Sequence, residues 1–387
     1  MDDELRATRE ALTDLVTRFA KEEIAPHATA WDDAGEFPRP LYQRAGELGL
    51  LGIGYPEALG GTPAPLALKL PLWVAIARHG ASGGVLASLF SHNIGLPPVV
   101  AHGSAEVQHE VVPPILRGEK ISALAITEPG GGSDVAALRT TARREGDAYI
   151  VDGEKTFITS GMRADWITLA VRTSSAKGAG GISMLLVPGD LPGISRTRLA
   201  KMGWQCSDTA QLHFDGVRVP ARYLLGEEGA GFRIIMSNFN GERFGLAAAA
   251  LGFAQACLDE ALAWARQRQA FGAQLITHQA VRHKLVDMQM RIASTEAWLE
   301  AVAAQGDALE GRGIHNAPEW VAQVCLLKNH ATQTMQFCAD AAVQILGGMG
   351  FMRGTLSERI YREVKVMMIG GGAQEIMKEL AARQLGW

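Results

Sequence analysis
Two threonines, a run of glycines and a few carboxylates are the groups in this chain whose types and spacing could do chemistry. Thr127 follows the apolar run Leu124-Ala125-Ile126, and after it comes Glu128-Pro129-Gly130-Gly131-Gly132-Ser133-Asp134. Pro129 has no N–H to give a strand ladder, and three consecutive glycines let the backbone fold tightly around an anion. Alternation resumes at Tyr149 to Val151, which predicts a turn at Asp152-Gly153 and a second extended run from Thr156 to Thr159. Thr127 and Thr159 are therefore expected on neighbouring extended segments, each hydroxyl able to donate and accept. Phe157 is expected on the same side of its strand as Thr159. Such a wall suits a flat, phosphate-bearing cofactor. Taken alone, the glycines read as an ordinary surface turn and Phe157 as core packing.

Three segments must position these groups. From Asp2 to about Lys120 apolar residues recur at helical spacing, as in Leu5, Leu12, Leu15, Val16 and Phe19, and again in Leu41, Ala45 and Leu48, with Pro38 and Pro40 between. His92 lies among apolar residues and reads as a satisfied core histidine. Between about Ile121 and Leu225 the period shortens to two, in Trp166 to Val171, Gly181 to Val187 and Ala210 to Phe214, which predicts a small antiparallel barrel or sandwich. From Gly231 onward four long periodic segments, near 232–271, 279–305, 319–346 and 356–368, predict a four-helix bundle. The expected class is α+β, with a helical domain over 1–120, a β domain over 121–230 and a helical bundle over 231–387. No G-x-G-x-x-G joins a strand to a helix, which removes a Rossmann domain.

The 387 residues carry 47% hydrophobic and 20% charged side chains with a net charge of −4, a globular composition without the basic surface that nucleic acid requires. No apolar run reaches the about 18 residues of a membrane span, and the acidic start lacks the basic-then-apolar pattern of a secretory leader, so a cytoplasmic protein is expected. Cys206, Cys257, Cys325 and Cys338 show no metal-ligand spacing and are expected to be reduced, mostly buried thiols; no metal site is expected.

The strings TEPGGGSD and DGEKTFITSG resemble the flavin-binding segment of the acyl-CoA dehydrogenase family. The likeness continues through FPRPLYQRAGELGLLGIGYPEALGG, KMGWQCSDT, RQAFGAQLITHQ, QILGGMGF and GGGAQEIMKEL, over essentially the whole chain. It implies FAD as cofactor, with Thr127 at the pyrimidine edge, Thr159 at N5, Phe157 against the ring where many relatives carry Trp, and Gly132 and Ser133 near the pyrophosphate. Arg268, Phe271 and Gln279, with Gln344, Gly347 and Gly348, match segments that reach the FAD of an adjacent subunit, which implies a homotetramer built as a dimer of dimers. Ala373 stands where many relatives have a cofactor-bonding threonine.

The family's reaction removes the α-proton of an acyl-CoA as the β-hydride moves to flavin, leaving a trans-2-enoyl-CoA and passing electrons to an electron-transfer flavoprotein. Many relatives place the base in an E-G-T loop before the last helix; here that position is Gly371, whose backbone N–H can still polarise the thioester carbonyl. The isovaleryl-CoA and long-chain branches place it in a Glu-Arg pair beginning the first long C-terminal helix, here Glu242-Arg243, so the resemblance implies Glu242 as catalytic base. Its ordinary reading is favourable charge in a helix's first turn, worth about 0.3–1 kcal/mol. Arg243 is expected to face the CoA or fix the glutamate. Ser133, Asn240, Arg243, Gly370 and Gly371 are the expected substrate contacts. Glu128 and Glu375 are competing carboxylates expected to be structural, Glu375 on the cofactor side. Gly370, where several straight-chain enzymes carry tyrosine, leaves room for a branch near C3, as in an isovaleryl- or citronellyl-like CoA, with a straight medium or long acyl chain as the competing substrate. An oxygen-using flavoenzyme of the same fold is the alternative within this resemblance, and a flavin-bearing DNA-associated protein the alternative outside enzymology.

Overall fold
Alanine and glycine on the long helix Gly231–Gln267 decide the packing of the molecule, because small side chains let neighbouring helices approach on every side. Ala247 to Ala250 are all fully buried, and a Cβ on Gly252 would lie 2.3 Å from the carbonyl oxygen of Val74 on a crossing helix. The computed structural model describes residues 3–176 and 178–387; the expected helix start at Asp2 lies outside the described residues.

The helices of the first segment are α1 (Asp3–Phe19), α2 (Ala28–Ala34), α3 (Pro40–Glu47), α4 (Leu66–Gly80), α5 (Gly83–Leu89), α6 (His92–Gly95), α7 (Pro97–His102) and α8 (Ala105–Leu116). Pro40 and Pro97 stand at first helical positions, where the missing N–H costs nothing, and Ser104 caps α8 by accepting from Val107 N at 3.3 Å. His92 is buried and its Nε2 lies 2.9 Å from the Leu51 carbonyl, a satisfied core histidine as the sequence suggests.

The strands follow: β1 (Ser122–Ala125), β2 (Thr141–Glu145), β3 (Ala148–Ile158), β4 (Trp166–Arg172), β5 (Ile182–Pro188), β6 (Ile194–Arg198), β7 (Ala210–Pro220) and β8 (Leu224–Leu225). They form one eight-stranded sheet in the order β6-β7-β3-β2-β4-β5-β8, with β1 pairing β4. Most pairs are antiparallel, but β1 and β2 both run parallel to β4. The expected turn at Asp152-Gly153 is not there: β3 runs straight through it, and the hairpin turns instead at Gly146-Asp147, where Gly146 has φ 64°. Asp152-Gly153 is a bulge, with Thr141 opposite Asp152 and a register shift against β7 between Val151 and Gly153. A second shift, between Lys155 and Ile158, puts Phe157 at φ 61°. Strict alternation therefore fails there, and Phe157 and Thr159 do not share a strand face: Thr159 lies past the strand's end.

The C-terminal segment comprises α9 (Gly231–Gln267), the hairpin β9 (Gln269–Ala270) and β10 (Ala273–Gln274), α10 (Gln279–Glu310), α11 (Pro318–Leu346), α12 (Gly348–Phe351), α13 (Leu356–Ile369) and α14 (Gln374–Leu385). Phe271 lies in the hairpin, and α14 adds a further helix to the four predicted segments. The first-segment helices α1, α3, α4 and α5 share one apolar core with this bundle, whereas α7 and α8 pack with the sheet in a second. By length and composition α9 could cross a membrane, but 72% of its apolar window is buried inside the protein, as a central core helix must be. All four cysteines are free and buried.

Candidate active site
Glu242 sits in the interior of α9, three turns from its start, so the first-turn charge reading of this carboxylate does not apply. Its stem is half-buried, but Oε2 is sealed from solvent and has no hydrogen-bond partner among the described residues. Burial pushes its pKa up to about 7, against the opposing charges of Arg243 and Lys328. A carboxyl with an unpaired buried oxygen is costly for stability and is what a poised base requires.

The loop between α13 and α14 closes over this carboxylate. Gly371 has φ 67°, and a Cβ there would lie 3.7 Å from Glu242 Oε1 and 3.0 Å from Leu246 Cδ1. Positions 242 and 371 therefore converge on one place, and glycine at 371 brings no carboxylate to it. Arg243 donates from Nε to the Gly371 carbonyl at 2.9 Å and from a terminal nitrogen to Asn240 Oδ1 at 3.1 Å. Asn240 donates in turn to Asn316 Oδ1 at 2.7 Å, and Asn316 to Ser237 Oγ at 3.1 Å. Arg243 thus ties down the loop, and the Asn240 amide is committed to Arg243 and Asn316. Lys328, fully buried on α11, donates to the carbonyls of Met368 at 3.0 Å and Gly372 at 2.8 Å. The Gly371 N–H has no partner among the described residues and stays open as a donor. A Cβ on Gly370 would meet only its own helix's Val366 oxygen, at 3.1 Å, so free space lies beside it.

The second group of residues gathers at the end of β3. Glu128 and Gly131 exchange backbone bonds of 3.2 and 3.0 Å in a tight turn, and Thr156 N donates to the Thr127 carbonyl at 2.8 Å. Thr127 and Thr159 are half-buried, Gly132 and Ser133 exposed, and a Cβ on Gly132 would lie 3.3 Å from Thr127 Cγ2. Phe157 is 69% exposed in a conformation that costs an aromatic L-residue about 1–2 kcal/mol. Glu128 is structural, as expected: it accepts from Arg139 N, Thr140 N and buried Lys155 at 2.6, 2.9 and 2.8 Å. Burial would raise its pKa, but Lys155 and these bonds outweigh it, and the net shift is downward.

Comparison with known proteins decides what this arrangement belongs to. Three family models match: the acyl-CoA dehydrogenase N-terminal domain over residues 6–119, the middle domain over 123–217 and the C-terminal domain over 229–386. The chain belongs to the acyl-CoA dehydrogenase family. A probable acyl-CoA dehydrogenase of Bacillus subtilis is 36% identical over 100% of both chains, and the mouse mitochondrial long-chain specific acyl-CoA dehydrogenase 36% identical over 96% of this chain and 84% of that one. A crystal structure of a probable acyl-CoA dehydrogenase from Mycobacterium abscessus superposes with a TM-score of 0.93 at 45% identity, covering 100% of both chains.

As an acyl-CoA dehydrogenase the protein is an FAD-dependent oxidoreductase acting on the CH–CH group of an acyl-CoA. The residues at the end of β3 fit a flavin: an exposed aromatic face, two half-buried hydroxyls and a glycine turn in which a side chain would crowd Thr127. Arg268, Phe271, Gln279, Gln344, Gly347 and Gly348 form no part of this chain's own cluster. All six are exposed, Phe271 at 98%, and the Arg268 side chain has no partner among the described residues. Glu375 is exposed in the first turn of α14, where its charge suits the helix dipole. Nothing in the sequence patterns singles out Asn316, which lies in the loop before α11. The one available signal for Lys328 is a charged residue on an otherwise apolar helix face.

Proposed function
We propose that the chain oxidises an acyl-CoA thioester to its trans-2-enoyl-CoA with Glu242 as the base, that the acyl group carries a branch near C3, and that the electrons leave to an electron-transfer flavoprotein. One observation carries the assignment of the base: a buried carboxylate with an unpaired oxygen lies beside the open N–H of Gly371. Bound FAD supplies the hydride acceptor. Glu242 takes the α-proton, and Gly371 N–H donates to the thioester oxygen, lowering the cost of charge developing there. Arg243 keeps that N–H aimed by holding the same residue's carbonyl. The free space beside Gly370 supports the branched acyl chain. Thr127, Gly132, Ser133, Phe157 and Thr159 hold this chain's FAD, while Arg268, Phe271, Gln279, Gln344, Gly347 and Gly348 reach the FAD of a second copy within a tetramer; the exposure of these six supports that reading.

Anaerobic mixing of the yellow protein with a panel of acyl-CoAs, followed by flavin absorbance, tests both parts. Bleaching by isovaleryl-CoA or a longer 3-methyl thioester at the highest rate is expected. Clearly faster bleaching by butyryl-CoA removes the branched substrate, and no bleaching by any thioester removes the function.

The convergence of positions 242 and 371 gives a separate expectation. In Glu242→Ala, adding Gly371→Glu should recover about tenfold or more of the lost rate, because the new carboxylate reaches the same place. Recovery stays incomplete, since a side chain at φ 67° is strained by about 1–2 kcal/mol. Single-turnover flavin reduction with the best substrate measures it, and no recovery in well-folded, FAD-loaded double variant would show that the two positions do not converge.

A further inference from the structure
Lys328 is fully buried, yet no step so far uses it. Its ammonium donates to the carbonyls of Met368 and Gly372, which bracket the Gly370-Gly371 segment, and it lies close enough to Glu242 for the two charges to act on each other. Arg243 holds the intervening carbonyl, that of Gly371. Two cations from two helices thus hold two carbonyls of one short loop and a third in the last turn of α13, and leave the Gly371 N–H without a partner among the described residues. An ammonium could have been satisfied in many less costly places; burying it here loses hydration that these contacts must replace.

We propose that Lys328 is the positioning residue of the site: it fixes the α13–α14 loop so that the Gly371 N–H stays aimed at substrate, and it sets its ammonium on the side of that loop to which Glu242 also reaches. The inference rests on the functional reading given above. Among the described residues, the charged and titratable groups that act on Glu242 are Arg243, on α9 itself, and Lys328 from α11, with the Cys325 thiol of α11 in the field of both cations. Arg243 divides its guanidinium between Asn240 and the loop. Among the described residues, Lys328 is therefore the one cation from a second helix that acts on this carboxylate. Its own pKa is drawn down to about 8 by burial, with Glu242 opposing, so it is mostly charged where Glu242 ionises. Removing the charge leaves burial less opposed and drives the Glu242 pKa higher.

The test compares wild type with Lys328→Met, Lys328→Gln and Lys328→Arg, each loaded with FAD. In wild type the rate of flavin reduction should rise as pH passes through the Glu242 pKa. In Lys328→Met and Lys328→Gln that limb should move to higher pH by about one unit, the lower end of the effect of a neighbouring opposite charge, while Lys328→Arg should keep it near the wild-type position. Amide hydrogen exchange of the 369–373 segment, measured without substrate, should quicken in Lys328→Met and least in Lys328→Arg. Lys328→Gln retains a donor for the carbonyls and serves where Lys328→Met accumulates poorly. An unmoved limb in either neutral variant, or unchanged exchange of the segment, overturns the proposal. So does failure of all three variants to fold, which would make Lys328 a folding determinant only. If wild type itself is not bleached by any acyl-CoA, the functional reading fails instead, and hydrogen exchange still reports on the clamp.

Discussion

Glu242→Gln should lower the rate of substrate-driven flavin reduction by about 10²–10⁴-fold, the contribution of a positioned base, while leaving FAD bound and the helix intact. Glutamine has nearly the same volume, and α9 is held by its alanine face and not by this carboxylate. Exchange of the substrate α-proton with deuterated solvent should disappear with it, because that exchange needs the base but no hydride transfer. The wild-type rate should climb through a pH of about 7, where burial places the carboxyl's ionisation. The same shift fixes the sign of its effect on folding. A carboxyl whose folded pKa is raised from 4.5 to about 7 contributes stability that is complete below 4.5 and lost as pH rises through 7. Glu242→Gln should therefore melt above wild type on the alkaline side of 7, with the difference shrinking on the acid side. Rapid bleaching by substrate in Glu242→Gln would remove this residue as base, and an unchanged melting difference across pH would show that the carboxyl is not buried as described.

Lys155→Met should produce the largest loss of stability, about 3–5 kcal/mol, by leaving the buried Glu128 carboxylate without its cation. Lys155 is fully buried and donates to Glu128 at 2.8 Å and to the Ile126 carbonyl at 3.0 Å. The two shifts in this pair differ in direction and cause. Burial pulls Lys155 down to about 8, whereas Glu128 is held below the usual carboxylate range because Lys155 and its hydrogen bonds outweigh its burial. Glu128 is thus ionised at neutral pH, and its contribution is present above the unfolded carboxyl value and lost as pH falls through the lower folded one. In Lys155→Met the unpaired carboxyl takes up a proton more readily, so the gap to wild type should be widest near neutrality and narrow on acidification. Because Glu128 also accepts from Arg139 N and Thr140 N, the glycine turn that carries Gly132 should loosen too, and FAD affinity should fall. Urea unfolding at several pH values measures the first effect and flavin titration the second. A loss below about 1 kcal/mol at neutral pH would mean that the pair behaves as an exposed one.

Local pattern was enough for much of this molecule. The change of period near residues 121 and 231 marks where the eight-stranded sheet begins and ends, because side-chain burial repeats every two residues on a sheet and about every 3.6 on a helix. That Gly371 can supply no carboxylate while Glu242 can was legible, because residue type alone says so. The bulges of β3 were not legible. Asp152-Gly153 carries the composition of a hairpin turn, yet pairing with β2 and β7 holds it in a continuous strand, and Phe157 takes a left-handed conformation that its residue type disfavours.

What the sequence by itself determined is the family, the order of helices and strands, and that position 242 carries a carboxylate whereas 371 does not. Only the tertiary structure decided that Glu242 lies deep within α9 with one oxygen unpaired, that Asn240, Asn316 and Arg243 form a chain ending on Gly371, and that Lys328 clamps the same loop from another helix. The physical reason is sequence distance. The contacts that close the site, Lys328 to Gly372 and Arg243 to Gly371, join residues 44 and 128 positions apart, and no local periodicity records a partner that only the packing of α9, α11 and the α13–α14 loop brings within hydrogen-bond reach.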